Sequence, residues 1–309
     1  MTGEGFGPPL YYCAPAIDVE AQLAQRRLRA IAPPCSASGQ HLSVCARPSH
    51  GQSGVTRRSE PIFNVPAVVL AVIAACVFVH LCRVYALSED EDIEFLITFA
   101  FIPARYGSAT MLGELPGGWA ADIWTFVTYA FIHGNAAHLV LNSIWLLPFG
   151  SALARRLGTV RFLAFFAATA AAGAALHLAT NFGSEQPVIG ASAAISGFMA
   201  ASMRFAFQRG GPLDLLRGGD EDSYRVPAVP LLAALRDTRI VVFVGAWFAL
   251  NILFGVGTMA IPGMDQAVAW QAHIGGFLAG LLLFALFDPI AAPQRDSGSG
   301  GENLSPPQQ

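Results

Sequence analysis

Six stretches long and apolar enough to cross a bilayer constrain this chain's fold more than anything else in it. They run over about 63–82, 136–153, 160–180, 189–207, 240–256 and 267–287. About 20 apolar residues in a helix match the ~30 Å thickness of the hydrocarbon layer. Backbone in lipid must satisfy its own N–H and C=O groups, and a helix does so within one segment. The expected fold is therefore all-α, a polytopic membrane protein built as a six-transmembrane-helix bundle. Charged residues are 13% of the chain, against roughly 25% in a soluble domain, so a soluble core is excluded.

The segments between the runs set the organisation. Residues 1–60 are rich in Pro, Gly, Ser and Arg and are expected to form a disordered tail. Residues 61–288 form the membrane domain, and 289–309 a second disordered tail. The long connection 83–123 opens on Ser88-Glu89-Asp90-Glu91-Asp92 and then carries apolar residues. A loop of that length and pattern predicts short helices at the membrane interface.

All 18 basic residues other than His are Arg, which points to a GC-rich, bacterial genome. With six spans both termini share one side. Arg57, Arg58, Arg155, Arg156 and Arg161 fall on that side, with six more Arg around the fourth-to-fifth connection. Arg83 and Arg105 fall on the other. The excess of Arg marks the cytoplasmic side, so both termini are expected in the cytoplasm of a bacterial inner (plasma) membrane. A net charge of −3 argues against nucleic acid as a partner. The five cysteines show no CxxC and no Cys/His ligand spacing, so neither a metal site nor a disulfide framework is expected.

Three polar clusters sit inside apolar runs. His133, His138 and Asn142 enter the second, Gly190-Ala191-Ser192-Ala193 opens the fourth, and Ala272-His273-Ile274-Gly275-Gly276 lies in the sixth. Any one of these residues alone reads as interhelical hydrogen-bonding glue. Together they carry the parts of a hydrolytic site. A serine hydroxyl is a weak nucleophile without a base, and His273 is the best-placed base for Ser192. His138 and Asn142 are four apart, so on a helix they share a face. Both donate hydrogen bonds and suit an oxyanion. His133, five before His138, points elsewhere on a regular helix and is expected to organise the loop in support.

The small residues Ala193, Ser196, Gly197, Ala200 and Ala201 match Gly276 and Gly280 as faces for close helix contact. No interior Asp or Glu is available to orient the imidazole, so a Ser192–His273 dyad is expected. Ser196 is a rival nucleophile one turn deeper. His80 and His177 read as structural, and Asn251 as a helix–helix hydrogen bond.

At these residues the chain resembles the rhomboid family of intramembrane serine proteases. The resemblance rests on His133-x4-His138-x3-Asn142, Gly190-x-Ser192 and Ala272-His273-x-Gly275-Gly276, in that order on the second, fourth and sixth runs. Trp124, nine before His133, also matches. It implies a serine endopeptidase that cleaves peptide bonds in or near the membrane helices of other proteins. Ser192 would be nucleophile, His273 base, and His138 and Asn142 oxyanion donors. The fourth helix would start low, at the base of a water-filled cavity. The implied partners are transmembrane protein substrates and the lipid bilayer, with no cofactor. Three positions depart from patterns seen in some members: Thr125 where Arg follows the Trp, Ala193 where Gly follows the serine, and Ser196 where an aromatic would stack on the histidine. A non-proteolytic relative that binds membrane clients is the alternative, and a small transporter or channel a more remote one.

Overall fold

The computed structural model describes residues 65–107, 115–212, 221–255 and 268–290. The two tails expected to be disordered lie outside the described residues, apart from 289 and 290. Nine α-helices run through the described residues: α1 (Ala67–Tyr85), α2 (Glu89–Phe99), α3 (Gly118–Thr128), α4 (Ala136–Leu157), α5 (Thr159–Thr180), α6 (Ser192–Ser202), α7 (Leu231–Ala234), α8 (Thr238–Gly255) and α9 (Trp270–Phe287). Among the described residues there is no strand; one isolated antiparallel bridge joins Phe101 and Val188. Five helices, α1, α4, α5, α8 and α9, are long and apolar enough to span a membrane. The protein is an all-α, multi-pass membrane protein.

The fourth apolar run departs from its expected role as a full span. Its helix, α6, has 11 residues, which at about 1.5 Å each reach about 16 Å, half of a hydrocarbon layer. Gly190, at φ 114°, ends any helix on the upstream side, and past Ser202 the chain breaks into turns. Every residue from Ala193 to Ser202 is buried. The run is apolar because protein surrounds it: α6 packs against α9, α5 and α4. Composition does not separate a segment walled in by helices from one bathed in lipid.

Small residues make that enclosure tight. A Cβ placed on Gly276 would overlap the Ala193 carbonyl oxygen, and one on Gly280 would overlap that of Gly197. The backbones of α6 and α9 thus touch along two successive turns, as the matching small faces predicted. Such close approach maximises dispersion contact where lipid removes the hydrophobic drive for association.

The long connection folds into α2, a 3-10 turn (Pro103–Tyr106) and α3, in line with the short helices expected there. Both ends of α2 are capped. Ser88 and Glu91 form a reciprocal capping box, and the donors of Ser88 hold the Glu91 carboxyl below its ordinary pKa. Four acidic residues occupy the first turn, where the helix dipole favours negative charge. At the other end, three successive carbonyls receive side chains from downstream. Arg105 Nη2 donates to Ile97 O at 2.5 Å, Trp124 Nε1 to Thr98 O at 3.1 Å, and Thr128 Oγ1 to Phe99 O at 2.7 Å. These are the carbonyls a helix end leaves without partners. Thr125 is buried and bonds Ala121 O and the Tyr106 hydroxyl. With Thr125 after Trp124, the brace comes from Arg105.

At the opposite end of the bundle, Arg156 on α4 makes a two-pronged ion pair with Asp288, at 3.0 and 2.8 Å. Its third nitrogen donates to Tyr224 O and Val226 O, and its guanidinium lies 4.4 Å from the Phe205 ring centroid. All three guanidinium nitrogens therefore have acceptors, which is what a buried ion pair needs to offset its desolvation. This clamp ties the carboxyl ends of α4 and α9 to the chain beyond α6.

Candidate active site

Ser192 is the first residue of α6, and local chain geometry puts it in the lining of a cavity. Gly190 N donates to Tyr129 O at 3.0 Å, and Val188 exchanges both backbone hydrogen bonds with Phe101. These contacts pin the strand-like approach to α6. Because α6 is short, its N-terminus opens inside the bundle rather than at its edge. The first N–H groups of a helix have no intrahelical acceptor, so the Ser192 backbone N–H is free to bind an incoming anion.

His273 lies one turn into α9. Its Nε2 is 2.6 Å from Ser192 Oγ, within the reach required of a base and its nucleophile. Residues 81 apart in sequence meet because Gly276 and Gly280 let α9 lie directly on α6. Ser196, the rival nucleophile, is buried, and its hydroxyl donates back to Ser192 O at 2.7 Å. That bond turns it along its own helix and leaves Ser192 facing the imidazole.

His138 and Asn142 come from the first turns of α4. Asn135 caps that helix, its side chain accepting the His138 N–H at 2.9 Å, which fixes the turn bearing the ring. A Cβ on Gly190 would come within 2.7 Å of His138 Nε2 and 3.8 Å of Asn142 Nδ2. Both nitrogens therefore lie over the backbone two residues before Ser192. Only glycine fits there, on account of both its positive φ and the imidazole above it. One Asn142 N–H is engaged by His138 O at 2.9 Å, leaving the other.

His133 is set behind this group. It is buried with its ring edge-on to His138, 5.1 Å between centroids. Its carbonyl accepts from Arg83 Nη1 at 3.0 Å and His80 Nδ1 at 3.3 Å. Arg83 in turn holds Asp92. His133 thus joins α1 and α2 to the loop ahead of α4 and does not line the cavity.

The cavity has a volume of about 590 Å³. Ser192, His273, His138 and Asn142 line it with Tyr129 and apolar side chains that include Leu141, Trp145, Ile189 and Met199. Among the described residues that line it there is no Asp, Glu or Arg. Among the described residues no group of His, Cys, Asp and Glu could hold a metal ion.

One contact at the site was not legible in the sequence. His273 Nδ1 lies 2.5 Å from Asn251 Oδ1 on α8. Asn251 does bridge helices, as its type implied, but its partner is the imidazole that faces Ser192. A polar residue in an otherwise apolar span was the signal available; which helix it faced was not.

A model of the Rhomboid domain matches residues 120–289, more than half of the 309-residue chain, and the chain belongs to the Rhomboid family. It is also similar to RHOMBOID-like protein 5 of Arabidopsis thaliana, 26% identical over 160 residues. That similarity covers 52% of this chain, and the chain spans 42% of the length of that relative. The match to the Rhomboid domain begins inside α3 and takes in His138, Asn142, Ser192 and His273.

Proposed function

We propose that this protein is an intramembrane serine endopeptidase that hydrolyses peptide bonds in or near the transmembrane helices of other membrane proteins. The observation that carries the reading is the 2.6 Å approach of Ser192 Oγ to His273 Nε2 in the lining of a cavity among membrane-spanning helices. An ionisable side chain at such depth is a functional residue by default.

The chemistry follows from the positions. His273 Nε2 removes the Ser192 hydroxyl proton as Oγ attacks the scissile carbonyl carbon. The carbonyl oxygen becomes an anion, received by the Ser192 N–H, by His138 Nε2–H and by the second N–H of Asn142. The imidazolium then protonates the leaving amine, and an acyl-enzyme remains. Water, deprotonated by the same imidazole, releases the acyl group and restores Ser192. No cofactor takes part in these steps.

The cavity's apolar walls suit an extended apolar peptide. A helical segment hides its carbonyls in internal hydrogen bonds, so cleavage favours substrates with small or helix-breaking residues. The cavity sits at the amino ends of α4, α6 and α9, and Arg155, Arg156, Arg204 and Arg239 sit at the other ends of the bundle. By the excess of Arg the second face is cytoplasmic, with both termini, and the cavity opens to the exterior of a bacterial inner membrane.

The test is cleavage of a single-span substrate in liposomes, alongside labelling by a fluorophosphonate. Ser192→Ala and His273→Ala should each lower turnover by about 10³-fold or more, and Ser192→Ala should abolish labelling. Labelling that persists in Ser192→Ala overturns the assignment. Substrate bound but uncut by the parent protein would favour a client-binding relative.

A further inference from the structure

We propose that Asn251 is the positioning residue for His273, so that the site works as a Ser–His–Asn arrangement rather than a bare dyad. The inference rests on the proteolytic reading above.

Asn251 and Ile240 are the only buried residues among those of α8. Its side chain is held at both ends. Nδ2 donates to Trp247 O at 2.8 Å, and Oδ1 faces His273 Nδ1 at 2.5 Å. A carbonyl oxygen only accepts, so the amide nitrogen must be the atom turned toward Trp247. The oxygen is then the atom turned toward His273, and it also only accepts. Nδ1 must therefore carry the hydrogen.

A neutral imidazole has one N–H, so Nε2 carries the lone pair, and it points at the Ser192 hydroxyl 2.6 Å away. The amide thus selects the tautomer and the ring orientation that make His273 a base. A carboxylate fills this place in other serine hydrolases, and an asparagine fills it in papain-like cysteine proteases.

Proton bookkeeping is simple. When Nε2 takes the serine proton, both ring nitrogens carry hydrogens. Nδ1–H stays donated to Asn251 Oδ1, and Asn251 gains no proton at any step. An uncharged amide also suits the surroundings. Among the described residues the cavity lining carries no carboxylate, and a buried unpaired one would be costly. Among the described residues, the other titratable groups facing this cavity are His138 on α4 and Tyr129 ahead of it.

The experiment compares Asn251→Ala and Asn251→Asp with the parent and with Ser192→Ala. Asn251→Ala should lower kcat by about 10- to 100-fold and leave KM within about twofold. Asn251→Asp keeps the acceptor and should recover most of the rate. Its carboxylate favours the imidazolium, so the acid limb of the kcat/KM profile moves to higher pH; in Asn251→Ala it moves to lower pH. Nitrogen-15 NMR of histidine-labelled protein, with His273→Ala to assign the signal, should show the Nδ1–H tautomer in the parent and a mixture in Asn251→Ala.

Unchanged kcat, acid limb and tautomer in Asn251→Ala overturn the proposal. So does a rate loss that merely tracks lowered thermal stability, with Asn251→Asp no better and the limb unmoved. If the parent neither cleaves nor labels, the proteolytic reading fails by itself, and the tautomer measurement still decides what Asn251 does.

Discussion

Two helices meet at His273 from different neighbourhoods. α6 brings Ser192 and is buried from Ala193 to Ser202, backbone against backbone with α9. α8 brings Asn251, yet only 17% of its span is buried, against 44% for α5 and 39% for α9. Its contacts are made by large rings, Trp247 stacked 4.6 Å from Phe277 and Phe243 beside Phe149 and Phe207. Ser192 is thus placed by close-packed small residues that tolerate almost no displacement. Asn251, the neighbour of His273, sits on a helix whose contacts are aromatic side chains. One side of the site is fixed by the core, and the other depends on the least buried of the spanning helices.

Substitutions can break that contrast, and the largest effect is expected on the α6 side. Gly280→Leu drives a side chain into the Gly197 backbone. Overpacking typically costs 1–3 kcal/mol, and more where the obstacle is main chain. The expected outcome is loss of activity together with a lower unfolding temperature in detergent. A variant that stays folded and active would show that α6 and α9 can separate.

The clamp at the far end ranks close behind. Arg156→Ala leaves Asp288 buried without its partner, 7% exposed, at a cost of about 3–5 kcal/mol. Thermal unfolding should register it. Cleavage by the fraction that remains folded should be nearly normal, because the clamp lies at the opposite end from the cavity. Smallest is Val242→Ala on α8, at a residue 64% exposed. It should change stability by less than about 0.5 kcal/mol. A loss comparable to that of Arg156→Ala would mean that α8 is held more firmly than its burial implies.

Much of this was legible in the chain itself. Apolar length marked the five helices able to span, and the length and pattern of the first loop marked short helices, the first of which the structure caps at Ser88. His138, Asn142, Ser192 and His273, which line the cavity, were visible as polar interruptions of apolar runs. The run after Gly190 misled, because burial by protein and burial by lipid select the same side chains. Thr125 flagged a change in how the loop is braced, but the substitute, Arg105, is 20 residues upstream and carries no mark of its partners. Asn251 was visible as a polar residue and invisible as a neighbour of His273.

The sequence by itself determined the class of fold, the order of its helices and which side chains could react, since those follow from hydrophobic length and residue chemistry along one segment at a time. Tertiary structure alone decided that α6 is a short buried helix and that Ser192 and His273 lie in hydrogen-bond contact. It also decided that an asparagine from the least buried of the spanning helices reaches the other side of that imidazole. Those facts depend on how closely separate helices approach and at what rotation, which is set by packing between segments far apart in the chain.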